Sequence, residues 1–588
     1  MANFPSLQNV FNATRNTIQR FPLETITTFT GSIFAIFLIS KEYGDPNTAF
    51  YTKGILSSLL CLVAFLSVSL YFSASRKGDM FRLLASLIIG ALATAFVYSF
   101  ENDISEVEAQ QFLVLSIALH LLVSFAGFIP KKYHQEEFWE FNKQLFLRII
   151  TAGLYSNVLY AGIALAIVAV KELFDFELDE KIFGYLFIAI AGPFNTLFFL
   201  NGVPDIQNSK NSLALSYPVG LKKFTQYVLL PLISLYLIIL LCYETKIILT
   251  LSLPIGWVSY LVLVFAIIGI LSFLLVHPIA TSAGNLWMQT FNRWFYFLLI
   301  PLLCLLFWAI LYRIYSYGFT HERYYVLLLS IWLTIVVGYF LVSKQPKIKF
   351  IPISMCIAAF FSIAGPQSAD NISKISQLSR FDAYIQQLEK QKLGFEDEKD
   401  LSSIVNFLQE NYTVKVLLPY TKDKLTALIA KDKKPSASEI MKALGATYRY
   451  QNDGISKKQT YFYYTFNENN AHSIENIHGY DLSFTLSNYG QLNCTNCITL
   501  NGTQYNIQSF NKPYGIDIKL NQDIVPLRLF DFIDSHPGFN NENNEKITQR
   551  IEHPKYTLLI TYLEAGGDIK NEKKITDNYS IKVLLKIK

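Results

Sequence analysis

The residues that could do chemistry are few, and their spacing limits what that chemistry is. Cys494 and Cys497, in LNCTNCITL, make a lone CxxC. Thiols at this spacing hold zinc when a second ligand pair completes the site. No second CxxC occurs, and His472, His478, His536 and His553 are scattered. A thioredoxin-like redox pair belongs in a βαβ setting, whereas these cysteines fall between strand-like segments with turn residues. The expectation is a local disulfide closing a hairpin in an oxidising compartment, and free thiols in a reducing one. P-loop, GxSxG, HExxH and GxGxxG signatures do not occur. The sequence therefore nominates no catalytic residue, no metal and no cofactor, and leans against an enzyme.

The other residues of interest are polar or helix-breaking positions in apolar surroundings. AGPFN, Ala191 to Asn195, sets Gly-Pro in the middle of an apolar segment. Pro193 removes a backbone donor and frees a carbonyl, which Asn195 is placed to satisfy. The plain reading is a packed proline kink. The sharper one is the interrupted mid-membrane helix that lines binding sites in transporters. His120, in SIALHLLVSF, has no intramembrane Asp or Glu near it in sequence and reads as a neutral hydrogen-bonded imidazole or as a site residue. Asn157, with Tyr160, suits polar contacts between helices. Glu322 and Arg323 in THERYYV are adjacent charges at the edge of an apolar run, either solvated or ligand-facing. Pro193, Asn195, His120, Asn157, Glu322 and Arg323 form the candidate ligand-binding set. The loop HPIATSAGNLWMQTFNRWF (277–295) carries aromatic and basic residues that anchor helices at headgroup depth or meet a headgroup. Glu24 lies near the end of the first apolar run and the other long runs lack Asp and Glu, which weighs against proton or sodium coupling.

The elements that must position these residues follow from composition. The 588 residues are 52% hydrophobic and 16% charged, but those averages cover two regimes. Residues 22–365 are dominated by Leu, Ile, Phe, Ala and Val; residues 366–588 are rich in Asn, Lys, Asp, Glu and Tyr. A hydrocarbon core of about 30 Å takes roughly 20 helical residues. By that ruler the expected fold class is a polytopic α-helical membrane domain with eleven spans, near 22–40, 54–74, 81–100, 111–129, 145–170, 182–200, 224–242, 258–276, 294–314, 324–342 and 350–365. An amphipathic segment (1–21) precedes them, with Arg15 and Arg20 ahead of a run that reads as a signal anchor rather than a cleavable leader.

Orientation follows Lys and Arg in the loops. With the N-terminus inside, the inner segments carry Arg15, Arg20, Arg76, Lys77, Arg82, Lys131, Lys132, Lys143, Arg148, Lys210, Lys222, Lys223, Arg293, Lys344, Lys347 and Lys349. The outer loops carry Lys41, Lys53, Lys171, Lys181, Lys246, Arg313 and Arg323, and ENDISEVEAQ carries none. An N-in, C-out protein is expected. The net charge of +5, without a long basic cluster, excludes nucleic acid as an evident partner. The lipid bilayer is the implied partner, with a small molecule or an envelope component beside it.

Several segments carry a family likeness. YPVGLKKFTQYVLLPL (217–232), LPIGWVSYLVL (253–263) and ERYYVLLLSIWL (322–333) combine Pro, Gly, Trp and charge at spaced positions among apolar residues. On these the chain resembles a bacterial inner-membrane family known as domain of unknown function 4153. Tyr217, Pro218, Gly220, Trp257, Glu322, Arg323 and Tyr324 are the positions where the likeness is plainest. The resemblance implies many spans plus an accessory domain, placed in the bacterial cytoplasmic membrane. It implies no activity, so no catalytic residue is carried over.

Beyond the spans, residues 366–446 read as helices: Ile372, Ile375, Leu378, Phe381, Ile385 and Leu388 recur at helical spacing. From 447 to 588 the period becomes two, in TYRYQN, QTYFYYTFN, GYDLSFTL, TQYNIQSF, YGIDIKL, YTLLITYLEA and NYSIKVLLKIK, with IVPLRLFDFID (524–534) as a short helix among them. The expected soluble part is α+β, helices first and an antiparallel sheet after. Three functions fit: membrane handling or transport of a small molecule or lipid, a sensor or scaffold for an envelope component, and an enzyme on lipid-linked substrates with Glu42 and Asp45 in its first outer loop.

Overall fold

The computed structural model describes residues 7–41, 44–75, 78–130, 132–175, 178–206, 213, 215–250, 257–279, 286–421, 424–431, 434–450, 461–466, 477–500, 502–539, 546–570 and 573–588. The chain forms two compact units, Met1–Tyr450 and Gln451–Lys588.

The first unit is helical. In order it contains α1 (Leu7–Arg20), α2 (Pro22–Ser40), α3 (Thr48–Ser75), α4 (Asp79–Tyr98), α5 (Glu106–Ala126) and α6 (Gln135–Phe174). Then come α7 (Lys181–Asn201) and α8 (Val219–Thr250), each with one π-turn inside it. They are followed by α9 (Trp257–Val276), α10 (Leu286–Tyr317), α11 (His321–Val342) and α12 (Phe350–Ile363). α13 (Ala369–Lys390), α14 (Phe395–Asn411), α15 (Thr426–Lys431) and α16 (Ala437–Leu444) complete the unit. Among the described residues nine helices are long and apolar enough to cross a membrane: α2 to α8, α10 and α11. Two shorter apolar helices, Ser259–Leu275 within α9 and Phe350–Ile363, fall on the other two expected segments. Helix is the form such sequences take because each turn satisfies its own backbone groups where water cannot.

Two large cores hold this bundle. One gathers Phe21 with residues of α3, α5, α6 and the end of α7; the other gathers α8, α9, α10 and α11. α12 joins them. Its Ile351 belongs to the second core, while Cys356 and Ala359 belong to the first. Both sides of its entry are tied: Lys349 Nζ donates to the Phe128 carbonyl at 2.6 Å, and Gln135 Oε1 accepts from the Ile348 amide at 3.0 Å. At 14 residues α12 is about 21 Å long, and its packing against α5 and α11 compensates for its short apolar length. α6 departs from expectation in the other sense. It runs 40 residues, about 60 Å, so the polar turns before the predicted span belong to the same rod.

Helices α13–α16, expected to open the soluble part, cluster with the first unit. They share a core of Phe381, Ile385, Leu401, Ile404, Val405, Leu408, Ile440 and Met441. Ser436 caps α16 in a box with Glu439, and Gly445 closes it in the left-handed region. The buried carboxylate of Glu398 accepts from the Thr447 amide at 3.1 Å and from Arg449 Nε at 3.0 Å.

The second unit has two antiparallel sheets where one was expected. Its strands are β1 (Tyr461–Thr465), β2 (Leu482–Ser487), β3 (Asn493–Leu500), β4 (Thr503–Lys512), β5 (Gly515–Leu520), β6 (Asp523–Leu527), β7 (Thr548–Glu552), β8 (Tyr556–Lys570) and β9 (Lys573–Ile587). One sheet runs β1-β8-β9-β2 with β7 also beside β8; the other is the meander β3-β4-β5-β6. Alternate residues of both, including Ile516, Ile518, Leu520, Leu558, Ile560, Tyr562, Ile581 and Val583, fill one core. The segment 524–534, expected as a helix, splits: its first residues end β6, and the helix α17 (Leu529–Ser535) starts after them. β6 pairs with β5 because Val525 and Leu527 alternate inward. No strand forms at 447–450, while 451 and 452 of the expected TYRYQN strand lie outside the described residues.

Candidate functional site

The π-turn Ile190–Phe194 contains Pro193. A proline ring collides with the carbonyl four residues back and offers it no donor. α7 answers by widening one turn rather than by breaking. Asn195 follows directly on this turn, and its Oδ1 is buried without a hydrogen-bond partner.

What lies around this turn is a polar seam of α2, α6 and α7. On α2, Glu24, Thr25, Thr28 and Ser32 are buried. Thr28 and Ser32 return their hydroxyls to carbonyls one turn back. Gly192 lets the two helices touch, for a Cβ there would stand 2.5 Å from Ser32 Oγ. On α6, Arg148, Ala152 and Ser156 recur every four residues on one face. Ala152 and Ser156 are buried. Ser156 Oγ and Arg148 Nε are both buried without a hydrogen-bond partner. The Arg148 guanidinium lies over the Phe198 ring at 4.6 Å. Gly202, just past α7, leaves room for it, because a Cβ at 202 would overlap Arg148 Nε. Three polar groups of different chemistry thus stand unsatisfied along one pair of helices: an amide oxygen, a hydroxyl and a guanidinium nitrogen.

The same end of the bundle carries two other arginines, both engaged. Arg20 donates to the carbonyls of Val203 at 2.7 Å and Pro204 at 2.9 Å. Arg82 donates to the Arg20 carbonyl at 2.9 Å and stands 3.9 Å from Glu24 Oε2. Glu24, fully buried, also accepts from the Ser69 hydroxyl.

Pro193 and Asn195 are the candidates that the seam contains. His120 is exposed on α5 with Nδ1 at 2.7 Å from the Ser116 carbonyl, and Asn157 is exposed on α6, one residue from the buried Ser156. Glu322 accepts from the Tyr260 hydroxyl at 3.3 Å. Arg323 donates to the carbonyls of Tyr317 and Gly318 at 3.0 and 2.9 Å, closing the turn from α10. Their neighbours dock α13. Tyr324 donates to the Gln367 carbonyl at 2.8 Å, and buried His321 faces Asp370 at 3.5 Å and the Tyr412 hydroxyl at 3.3 Å. The His321 hydrogen bond holds the Asp370 carboxyl below its ordinary range. Cys494 is disulfide-bonded on the edge strand β3, where the register against β4 shifts between Cys494 and Ile498. The Cys497 side chain, Glu42, and the stretch 280–285 of the aromatic loop lie outside the described residues.

Sequence reasoning weighed Arg148 only as a topological charge and passed over Ser156. The available signal was an arginine flanked by apolar residues in FLRII, with small residues following at four-residue steps.

A second cluster explains part of the family-like sequence. Tyr217 stacks on Trp139 at 5.4 Å, and the two donate to consecutive carbonyls at the end of α9, Leu275 and Leu274. Below them Glu140 meets Lys143 Nζ at 2.6 Å, Gln144 Nε2 at 2.8 Å and the Ser216 amide at 3.1 Å. This geometry is fully satisfied and structural. The DUF4153 family, a domain of unknown function, matches residues 47–394, a stretch that holds the second cluster and the α6 and α7 sides of the seam but not α2. The chain belongs to the DUF4153 family. An uncharacterized protein of Pasteurella multocida (strain Pm70) is 24% identical over 250 residues, 42% of this chain and 41% of the relative. The chain thus spans about two-fifths of the length of the curated relative it matches. No solved structure matches it. The DUF4153 match and the run of long apolar helices make this a membrane protein.

Proposed function

We propose that this DUF4153 protein handles or transports a small molecule or lipid within a bacterial cytoplasmic membrane, with the α2/α6/α7 seam as its binding path. One observation carries the reading: on the contacting helices α6 and α7, Asn195 Oδ1, Ser156 Oγ and Arg148 Nε are each buried with no hydrogen-bond partner. Groups that the fold leaves unsatisfied are groups a ligand can satisfy. The π-turn in α7 supports the same reading, since such turns recur at functional sites. The N-terminus is cytoplasmic and residues 366–588 face outward in this proposal, as an accessory to the membrane helices.

Two measurements test it. Lipids and metabolites retained by the purified full-length protein are compared with those of an Asn195→Ala, Ser156→Ala double variant by mass spectrometry. Loss of a retained species is expected; an unchanged profile would sink the seam as a site. Alkaline phosphatase fused after Lys390 should be active, and fluorescence of a cytoplasm-only reporter at the same point would reverse the topology.

A further inference from the structure

We infer that the seam takes an anionic amphiphile: a lipid whose phosphoryl or carboxylate group lies on Arg148 and whose first polar linkage reaches Ser156 and Asn195. This rests on the reading of the seam as a ligand path.

The charge argument comes from pairing. Lys53 donates to the Phe100 carbonyl, Lys143 faces Glu140, Lys349 donates to the Phe128 carbonyl, and Arg20 and Arg82 have the partners given above. Arg148 has none of these. Among the described residues its guanidinium meets no carboxylate and no hydrogen-bond acceptor, and its only charge-related contact is the Phe198 face. An arginine within a membrane helix normally pairs, because an unpaired charge in that setting is costly. Stacking on a ring fixes the plane of the guanidinium and leaves the fork free for a planar or tetrahedral anion. Gly202 reinforces this, since any side chain at that position would displace Arg148 from the ring.

The length argument comes from the helix. Arg148 and Ser156 are eight residues apart, about 12 Å along α6. That separation exceeds a free phosphate ion. It suits a headgroup anion followed by glycerol or ester oxygens, with Ser156 donating and Asn195 able to donate or accept. Access is lateral. α6 exposes Leu147, Ile149, Ile150, Leu154, Tyr155 and Val158 around the line of half-buried Arg148 and buried Ala152 and Ser156, so an acyl chain can lie along its apolar flank while the polar part enters the seam.

The test uses full-length protein in vesicles of phosphatidylcholine with phosphatidylglycerol, and counts retained lipid by native mass spectrometry after extraction. Parent protein should retain phosphatidylglycerol over phosphatidylcholine by about tenfold, because phosphatidylcholine carries the same phosphodiester but neutralises it with its own ammonium, which weakens the pair with Arg148. Arg148→Gln should erase that preference. Arg148→Lys, which keeps the charge without the fork, should retain a reduced one. An unchanged melting temperature in Arg148→Gln separates lost binding from lost fold; if that variant does not fold, the Arg148→Lys comparison decides. Equal retention of both lipids by the parent, or full preference in Arg148→Gln, overturns the anion assignment. Inorganic phosphate should not displace the retained lipid; displacement by phosphate alone would assign the site to a free anion and overturn the lipid. If Asn195→Ala lowers total retention while Arg148→Gln leaves the headgroup preference intact, the seam stands and the anion falls. If neither variant changes retention, both fall.

Discussion

Replacing Lys143 by methionine isolates the energetics of the cluster under Tyr217. Methionine keeps most of the apolar stem and removes the ammonium, which lies 2.6 Å from Glu140 Oε1 and 2.6 Å from the Ser216 carbonyl. The side chains are 7% and 1% exposed, so solvent screens little of the interaction. Removing one partner of a buried pair strands the other charge, at a typical cost of about 3–5 kcal/mol. Glu140 would retain Gln144 Nε2 and the Ser216 amide as donors, which places the expected loss near the lower end, about 3 kcal/mol. Glu140→Gln in the same background removes the stranded charge, and the double variant should recover to within about 1 kcal/mol of the parent. Equilibrium unfolding in mixed micelles reads this through Trp139, whose ring lies 5.5 Å from Lys143 Nζ. A Lys143→Met loss below about 1 kcal/mol, or a double variant no better than the single, would refute the claim that this pair is buried and coupled.

Gly202→Ala should cost about 1–3 kcal/mol, because the new methyl overlaps Arg148 and expels it from the Phe198 ring; an unfolding midpoint equal to the parent's would contradict that packing. Ser156→Ala should stabilise lipid-free protein in detergent by up to about 1 kcal/mol, because it deletes an orphaned buried hydroxyl; destabilisation by that amount would mean the hydroxyl has a partner. Asp370, held low chiefly by His321, stabilises the docking of α13 above its ordinary value of 3.8. That contribution is lost as pH falls through the lower folded value. Hydrogen exchange of α13 should therefore accelerate below about pH 4 in the parent and show a smaller acid-dependent change in Asp370→Asn.

The membrane half was legible because its signal is long and redundant. Twenty apolar residues in a row leave the backbone one solution, so the expected segments coincide with helices even where their ends move. The ends moved for local reasons. α6 begins ten residues early because QEEFWEFNKQ is helix-competent and packs Phe138, Trp139 and Phe141 into a core, and polarity there says nothing against helix. The helices from 369 to 446 were placed with the soluble part because their composition is soluble, while docking by His321, Tyr324 and Gln377 depends on contacts across tens of residues that periodicity cannot carry. β6 was hidden by Pro526, which is tolerated because β6 is an edge strand. The candidate site was legible at Pro193 and Asn195, where a breaker and a polar residue stand out. It was illegible at Ser156, since serine in an apolar helix usually bonds its own backbone, as Ser32 and Ser330 do.

That contrast also bears on whether the seam is a site or an imperfection. Among the described residues orphaned hydroxyls also occur at Ser57, Ser86, Ser373 and Thr576, and orphaned carboxylate oxygens at Glu24 and Asp370; a lone hydroxyl costs little that packing cannot absorb. Around α7 the unsatisfied groups are an amide, a hydroxyl and a guanidinium nitrogen on two contacting helices. At about 1–3 kcal/mol each, their sum is a substantial fraction of the roughly 5–15 kcal/mol by which domains are stable. Leucine at 195 or alanine at 156 would relieve it without altering the fold. The neighbouring α2 differs: Thr25, Thr28 and Ser32 bond carbonyls one turn back, and Glu24 takes Ser69 on one carboxylate oxygen while its Oε2 has no hydrogen-bond partner. A proline-containing π-turn, two glycines that admit close approach and three unpaired polar atoms lie within seven residues of Asn195, on α7 and the residue after it, and along one face of α6. Departures from local consistency are expected at functional sites, and the proposed ligand would pair all three groups.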